Sequence, residues 1–428
     1  MTVNPLKDTI EKNRSGQRKG LYSVCSANEF VLRGAIRHAV SYNYPLIIES
    51  TSNQVNQFGG YTGMRPHEFM AQVKKIAREE KMDGEKLILG GDHLGPLLWQ
   101  HEKEADAMEK AVEMVKAYTL AGFGKIHLDT SMKLADDPPG PLDPRVCARR
   151  GAILAKAVYE NYSPAAGTRR PALVIGSEVP IPGGSREHED SVTPTGAEDF
   201  TRQVTVFREE FDKAGIDFSD VIAFVVQPGV EFGDDFVCFY DPAKAAALTG
   251  ALKKVDGLVF EGHSTDYQGP DKLACLVRDG VAILKVGPAL TFALREALFL
   301  LEAIEEELVP ADRRSAIKKT LLEEMNGDKK YWEKYYAGTE QEVEYKKLYS
   351  YSDRCRYYLP AENVQKAVDT LLKNIPGVPP ALLSQFFPAQ YRRYMAGKLG
   401  NDPLAVLCDR IGDTCADYAG ACGYCAAL

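Results

Sequence analysis

The chain has 428 residues and carries 52 Lys and Arg against 60 Asp and Glu, a formal net charge of -8. That length suits a barrel-sized domain with a smaller region attached. The acidic balance argues against a nucleic-acid footprint but leaves room for a local cationic pocket for phosphate. No apolar stretch is long enough to span a bilayer, since Ala297-Leu-Phe-Leu-Leu is broken at once by Glu302. The N-terminus lacks the basic and apolar regions of a signal peptide, so a cytoplasmic protein is expected. Nine cysteines are scattered along the chain, as suits buried thiols in a reducing compartment. Cys408, Cys415, Cys422 and Cys425 cluster near the end, without the second tight pair that a zinc clasp needs. That tail reads as a terminal segment rich in small residues.

Buried-strand candidates alternate with helical patterns from the first turn onward. Gly20–Ala27 is the first strand and Pro45–Thr51 the second, followed by a glycine- and amide-rich loop over 53–63. A helix over Pro66–Glu80 leads to the third strand at Lys86, and a charged helix over Glu102–Gly122 to the fourth at Lys125. Helices over Arg145–Tyr159, Thr195–Ala214, Asp241–Lys254 and Gly269–Asp279 lead to strands at Leu173, Val221, Leu258 and Ala282. Eight such units predict an α/β fold, a (β/α)8 TIM barrel over residues 1–308. An open doubly wound sheet is disfavoured, because no Gly-x-Gly-x-x-Gly follows the first strand. Beyond 308 the alternation stops. A charged helix over Ala311–Asn326, an aromatic and basic stretch over Lys329–Tyr336, and Ser352-Asp-Arg-Cys-Arg-Tyr-Tyr358 predict an α-helical C-terminal region, 309–428. Its tyrosines and arginines fit an interface or packing onto the barrel equally well.

The polar residues are informative because they stand where strands end, the face on which barrels carry their chemistry. Lys86-Leu-Ile-Leu-Gly-Gly-Asp-His-Leu-Gly95 ends a buried run in Asp92 and His93. His127 and Asp129 share one face of the fourth strand, Glu178 follows the fifth, Gln227 the sixth, and Glu261, His263 and Ser264 the seventh. His93, Glu178, Gln227 and His263 are the expected ligands of one divalent metal, with zinc favoured and manganese, cobalt or nickel as alternatives. Asp92 is the expected general acid/base, and Asp129 and Glu178 complete the catalytic set. One of His127 and Asp129 enters the site while the other orients it. Phosphate contacts are expected from Gly262, Ser264, Asp266, Lys285 and Gly287, since barrels commonly hold phosphate in the loops after strands seven and eight, and further substrate contacts from Asn53, Gln54 and His127. Lys285 can meet the anion or sit in an ion pair inside the barrel. The loop from Gly183 to Thr193 could close over the substrate. No Gly-x-x-x-x-Gly-Lys-[Ser/Thr] loop occurs, so neither a nucleotide nor a nicotinamide cofactor is expected.

Several long motifs carry a resemblance. Cys25-Ser-Ala, the stretch Glu49–Gly63, Gly90-Gly-Asp-His-Leu-Gly-Pro96, Lys125-Ile-His-Leu-Asp129, Val225–Phe232, His263-Ser-Thr-Asp-Tyr-Gln268 and Leu284–Glu296 are similar to the GatZ/KbaZ family. The likeness runs through Ser352-Asp-Arg and covers the chain except the cysteine-rich tail. It implies a subunit of class II D-tagatose-1,6-bisphosphate aldolase that supports a separate GatY/KbaY catalytic chain. It also implies a ketohexose phosphate as substrate and association with further copies of itself. The barrel resembles catalytic class II aldolases more distantly. There the Asp-His pair corresponds to Asp92 (catalytic) and His93 (zinc ligand), and the glutamate after strand five to Glu178. Their histidine after strand six falls on Gln227, and either Glu261 or His263 matches the last ligand. Two further readings stand beside the subunit. One is an independent metal-dependent 4-epimerase interconverting tagatose 6-phosphate and fructose 6-phosphate by retro-aldol and aldol steps. The other, ranked last, is a tagatose-6-phosphate kinase.

Overall fold

The computed structural model describes residues 5–163, 170–176 and 192–425. Eight parallel strands close into a barrel: β1 Leu21–Cys25, β2 Leu46–Thr51, β3 Leu87–Leu94, β4 Lys125–Asp129, β5 Ala172–Gly176, β6 Val221–Val226, β7 Val259–Gly262 and β8 Val281–Val286. Closure comes from β1 pairing with both β2 and β8, with Val24 opposite Ile48 on one side and Val286 on the other. The strands are short, buried and rich in Val, Ile and Leu, as a sheet covered on both faces requires. A two-residue hairpin, Glu231–Phe232 against Val237–Cys238, follows β6 and was not anticipated. Among the described residues no helix is long and apolar enough to cross a membrane.

Alternation along the strands builds the interior in tiers. The lowest tier is apolar: Leu21, Ile47, Ile88, Ala172, Ala223, Val259 and Ile283 share a cluster with Leu6 and Ile10. Those two come from the N-terminal helix Pro5–Arg14, which thereby plugs the barrel floor. Two positions further along β2, β7 and β8 the inward residues are Glu49, Glu261 and Lys285, joined by Lys125 at the start of β4, all fully or nearly fully buried. The next tier carries Asp92, His127 and His263.

Gly90 makes the charged tier possible. It lies in register between Glu49 on β2 and Lys125 on β4. A Cβ at Gly90 would stand 2.4 Å from the Glu49 Oε1, so the missing side chain leaves the corridor through which Glu49 reaches Lys125. Gly95, after β3, answers a second close approach, since a Cβ there would fall 1.6 Å from the Asp129 carbonyl oxygen.

The C-terminal region is helical, as its pattern predicts, with two differences. The helix predicted over Ala311–Asn326 is a 3-10 turn, Ala311–Arg313, and then a helix, Ile317–Gly327. The break arises because the buried Glu305 carboxylate accepts both the Ser315 N–H at 3.0 Å and its hydroxyl at 2.6 Å, while Ala316 turns left-handed at φ 50. The cysteine-rich tail is also no loose terminus. Cys408 and Cys415 lie on the buried face of helix Pro403–Ala421, and Cys422 follows as its C-cap. That helix seats so closely on helix Glu29–Tyr42 that a Cβ on Gly34 would meet Ile411 at 2.9 Å. Tyr418 donates from its hydroxyl to the Thr265 carbonyl at 2.7 Å, tying the last helix to the loop after β7. One continuous apolar cluster runs from the barrel wall into these helices.

Candidate active site

At the C-terminal ends of the strands a cleft opens between the barrel and the C-terminal region. Asp92, His93, His263, Ser264, Asp266, Lys285 and Gly287 line it, as do Asn53 and Gln54 from the loop after β2. The sequence reading missed Cys25, Thr51, Tyr61, Phe232, Arg356 and Tyr357, which line it too.

Its floor is a set of carboxylate–imidazole pairs. Asp129 Oδ2 lies 2.8 Å from His93 Nδ1, and Asp92 Oδ1 lies 2.9 Å from His127 Nδ1. Glu261 Oε1 lies 3.0 Å from His263 Nε2. Each carboxylate fixes one nitrogen of its ring and leaves the other for a ligand, which is how metal-binding histidines are oriented. His93 stands at φ 50, a left-handed position uncommon for a side chain of this size, at the point where β3 ends. Its N–H donates to Asp92 Oδ1 at 3.1 Å, which helps hold the turn.

One potential ligand atom from each of Asp92, His93, His127 and His263 lies within 4.8 Å of all the others. Among the described residues the Nε2 of His127 is buried with no hydrogen-bond partner; in the tautomer whose Nδ1 donates to Asp92, that nitrogen presents a lone pair. The charge balance points the same way. Among the described residues, Glu49, Asp92, Asp129 and Glu261 are buried with Lys125 and Lys285 as their ammonium partners, so two negative charges exceed the lysines there. A buried excess of that size calls for a dication or for protons on the imidazoles. The residues present therefore fit a divalent metal.

Electrostatics set the protonation of the floor. Burial alone would raise the Asp92 carboxyl, but His93, then His127 and His263, hold it well below the usual carboxylate range. Burial likewise opposes ionisation of Asp129, and the His93 hydrogen bond and charge overcome it. Burial would depress His93, yet Asp92 and then Asp129 push it up to about 9. Burial would raise Glu261, but Lys125 and then His263 bring it to about 2. Burial pushes the Cys25 thiol up to about 12, so it is no ready nucleophile.

Other expected residues take different places. Gln227 does not line the cleft: its Oε1 accepts the Gly229 and Val230 N–H groups at 2.8 and 2.9 Å, shaping its own loop. Lys285 is in the interior ion pair rather than free for an anion, with its Nζ against Glu49 and 2.9 Å from Asp92. Asp266 lines the cleft but itself occupies the start of helix Pro288–Leu308, accepting N–H groups from Gly287 at 3.0 Å and Ala289 at 2.8 Å. Burial pushes its carboxyl up to about 6. Gly262 lies within β7, packed toward Val281 and below the cleft. His127 and Asp129 lie beneath the cleft surface, with Asp129 orienting His93. Of the two alternatives after β7, Glu261 sits 2.6 Å from Lys125, while His263 faces the cleft. Glu178 and the loop from Gly183 to residue 191 lie outside the described residues.

The family described as D-tagatose-1,6-bisphosphate aldolase subunit GatZ/KbaZ-like matches residues 6–423, so the likeness includes the cysteine-bearing last helix that the sequence reading had excluded. A D-tagatose-1,6-bisphosphate aldolase subunit GatZ from Salmonella agona (strain SL483) is 45% identical over 421 residues, 97% of this chain and 99% of the relative. The subunit of that name from Klebsiella pneumoniae shows the same identity and coverage. Among solved structures, a probable tagatose 6 phosphate kinase from Sinorhizobium meliloti 1021 superposes with a TM-score of 0.86 at 41% identity, covering 94% of this chain and 100% of that one. With the family matched from end to end and close relatives of equal length, this chain belongs to the D-tagatose-1,6-bisphosphate aldolase subunit GatZ/KbaZ-like family.

Proposed function

We propose that this chain is a GatZ-type subunit of D-tagatose-1,6-bisphosphate aldolase whose own barrel mouth binds a divalent metal and a ketohexose phosphate. The observation that carries the reading is the buried group of Asp92, His93, His127 and His263 at the cleft floor. His93, His127 and His263 would hold the metal, zinc by preference for nitrogen ligands, with Glu178 as the carboxylate after β5. A divalent metal held there would supply Lewis-acid polarisation of the ketose oxygens.

Asp92, which lines the cleft floor, accepts the proton of the sugar's C4 hydroxyl. As that proton leaves, the C4–O bond becomes a carbonyl, the C3–C4 bond breaks and its electron pair moves toward the C2 carbonyl. Re-addition reverses the flow and Asp92 returns the proton. Addition to the opposite face of the aldehyde would invert C4, so the same residues support the epimerase reading. The completeness of the acid–base set favours it as the second possibility. The sequence lends no support to the kinase activity named for the solved relative, since it carries no phosphate-binding P-loop.

The test uses metal-loaded chain, alone and with a GatY-type chain, supplied with tagatose 1,6-bisphosphate, tagatose 6-phosphate or fructose 6-phosphate. Carbon–carbon cleavage or C4 inversion that Asp92→Asn abolishes supports the proposal. Partner-dependent cleavage that is indifferent to Asp92→Asn, with no turnover by this chain alone, contradicts it.

A further inference from the structure

The cleft needs a cation for an anionic substrate, and the expected sources are already committed. The N–H groups that open helix Pro288–Leu308, a natural anion seat, are filled by the Asp266 carboxylate. Lys285 is enclosed by Glu49, Asp92 and Glu261. Among the described residues lining the cleft, Arg356 is the cation with no carboxylate within ion-pair distance. It comes from the C-terminal region, far in sequence from the barrel strands.

Its surroundings aim the guanidinium rather than neutralise it. Nη1 donates to the Ser352 carbonyl and, at 3.0 Å, to the Asp353 carbonyl; Nη2 donates to the Tyr357 hydroxyl at 3.1 Å. Of the five N–H groups of an arginine, this leaves Nε–H and one Nη2–H, the edge that matches two phosphate oxygens. The loop bearing Arg356 is pinned to the barrel. Asp353, left-handed at φ 45, accepts from Thr291 Oγ1 at 2.6 Å and from Arg295 Nε at 2.8 Å. Tyr357 stacks on Tyr331 with ring centroids 4.7 Å apart and meets Tyr61 edge-on at 5.2 Å. Ser264, left-handed at φ 52, lines the same cleft.

We propose that Arg356 recognises the phosphate monoester of the sugar, binding two of its oxygens, with Ser264 and Tyr357 beside it. The C-terminal helical region thus completes the barrel's substrate site, and Asp353 is the positioning residue that holds Arg356 there. The assignment rests on the ketohexose-phosphate reading above.

Calorimetric titration of the metal-loaded protein with fructose 6-phosphate, fructose and inorganic phosphate tests it, on wild type, Arg356→Gln and Arg356→Lys. Wild type is expected to prefer the phosphorylated sugar. Arg356→Gln should weaken fructose 6-phosphate binding on the order of 100-fold, so that the preference collapses. Arg356→Lys should recover only part of it, keeping the charge and losing the fork. A folded Arg356→Gln that keeps the preference overturns the assignment. If Arg356→Gln fails to fold, undiminished affinity in Arg356→Lys overturns it instead. Should wild type bind neither sugar, the functional reading fails; Arg356-dependent binding of inorganic phosphate would still uphold the anion site.

Discussion

Lys125→Met should be among the most damaging single substitutions in the barrel. Lys125 is fully buried and lies 2.5 Å from Glu49 and 2.6 Å from Glu261, both fully buried themselves. Methionine fills much the same volume, so the loss is electrostatic rather than steric. Breaking one buried pair from one side costs about 3–5 kcal/mol, because the partner is left as an uncompensated charge. Two carboxylates depend on this ammonium, and Lys285 supports Glu49 but stands 3.9 Å from Glu261, so the upper part of that range applies. Against a total stability of roughly 5–15 kcal/mol, the variant should be marginal. Denaturant unfolding followed by circular dichroism gives the loss as a lowered midpoint. Adding Glu261→Gln to Lys125→Met should restore about half of it, since an amide costs far less to bury than an unpaired carboxylate. A loss under about 1 kcal/mol for Lys125→Met, or no recovery in the double variant, would refute the tiered ionic interior.

Three further outcomes follow from particular contacts. Asp129→Asn keeps the size of the group beside His93 Nδ1 but removes its charge, and should weaken metal binding roughly 10–100-fold in a competition titration with a chelator. Gly95→Ala drives a Cβ into the Asp129 carbonyl, so backbone must move; a stability loss of about 3 kcal/mol or more is expected, read by thermal unfolding. His38, packed near the last helix with Nδ1 2.7 Å from the Tyr44 hydroxyl, is held down to about 4, chiefly by burial. A depressed base favours the folded state above its unfolded value of about 6.5, and that contribution is lost as pH falls toward 4. His38→Gln should therefore flatten the acid limb of stability between those pH values, whereas an unchanged limb would count against this attribution.

The barrel was legible because buried parallel strands advertise themselves: Leu87-Ile-Leu and Val221–Val226 have no polar residue until the strand ends. The floor of the site was legible for the same reason, since Asp92, His93 and His263 follow such runs directly. Position along a strand did not reveal which way a ring nitrogen or an amide turns. His127 looked like a substrate contact, and only its pairing with Asp92 shows a bare Nε2. Gln227 stands one residue past β6, where its own turn claims the side chain. Lys285 could be read either way until Glu49 was seen to cross the barrel at Gly90. Arg356 carried no local signal beyond Ser352-Asp-Arg-Cys-Arg, because its place at the cleft depends on Asp353 reaching Thr291 and Arg295, about sixty residues earlier. The break at Ser315 was equally hidden, being set by the Glu305 carboxylate from the preceding helix.

If the four-residue group at the barrel mouth is a metal centre, the purified chain should carry a divalent ion there. Elemental analysis by inductively coupled plasma mass spectrometry, on chain purified without its relatives' partner and dialysed against each candidate cation, tests it most directly. The account predicts one divalent ion per chain, lost from His127→Ala and His93→Ala variants that remain folded. No retained metal in the wild-type chain, or full retention in both variants, would contradict it.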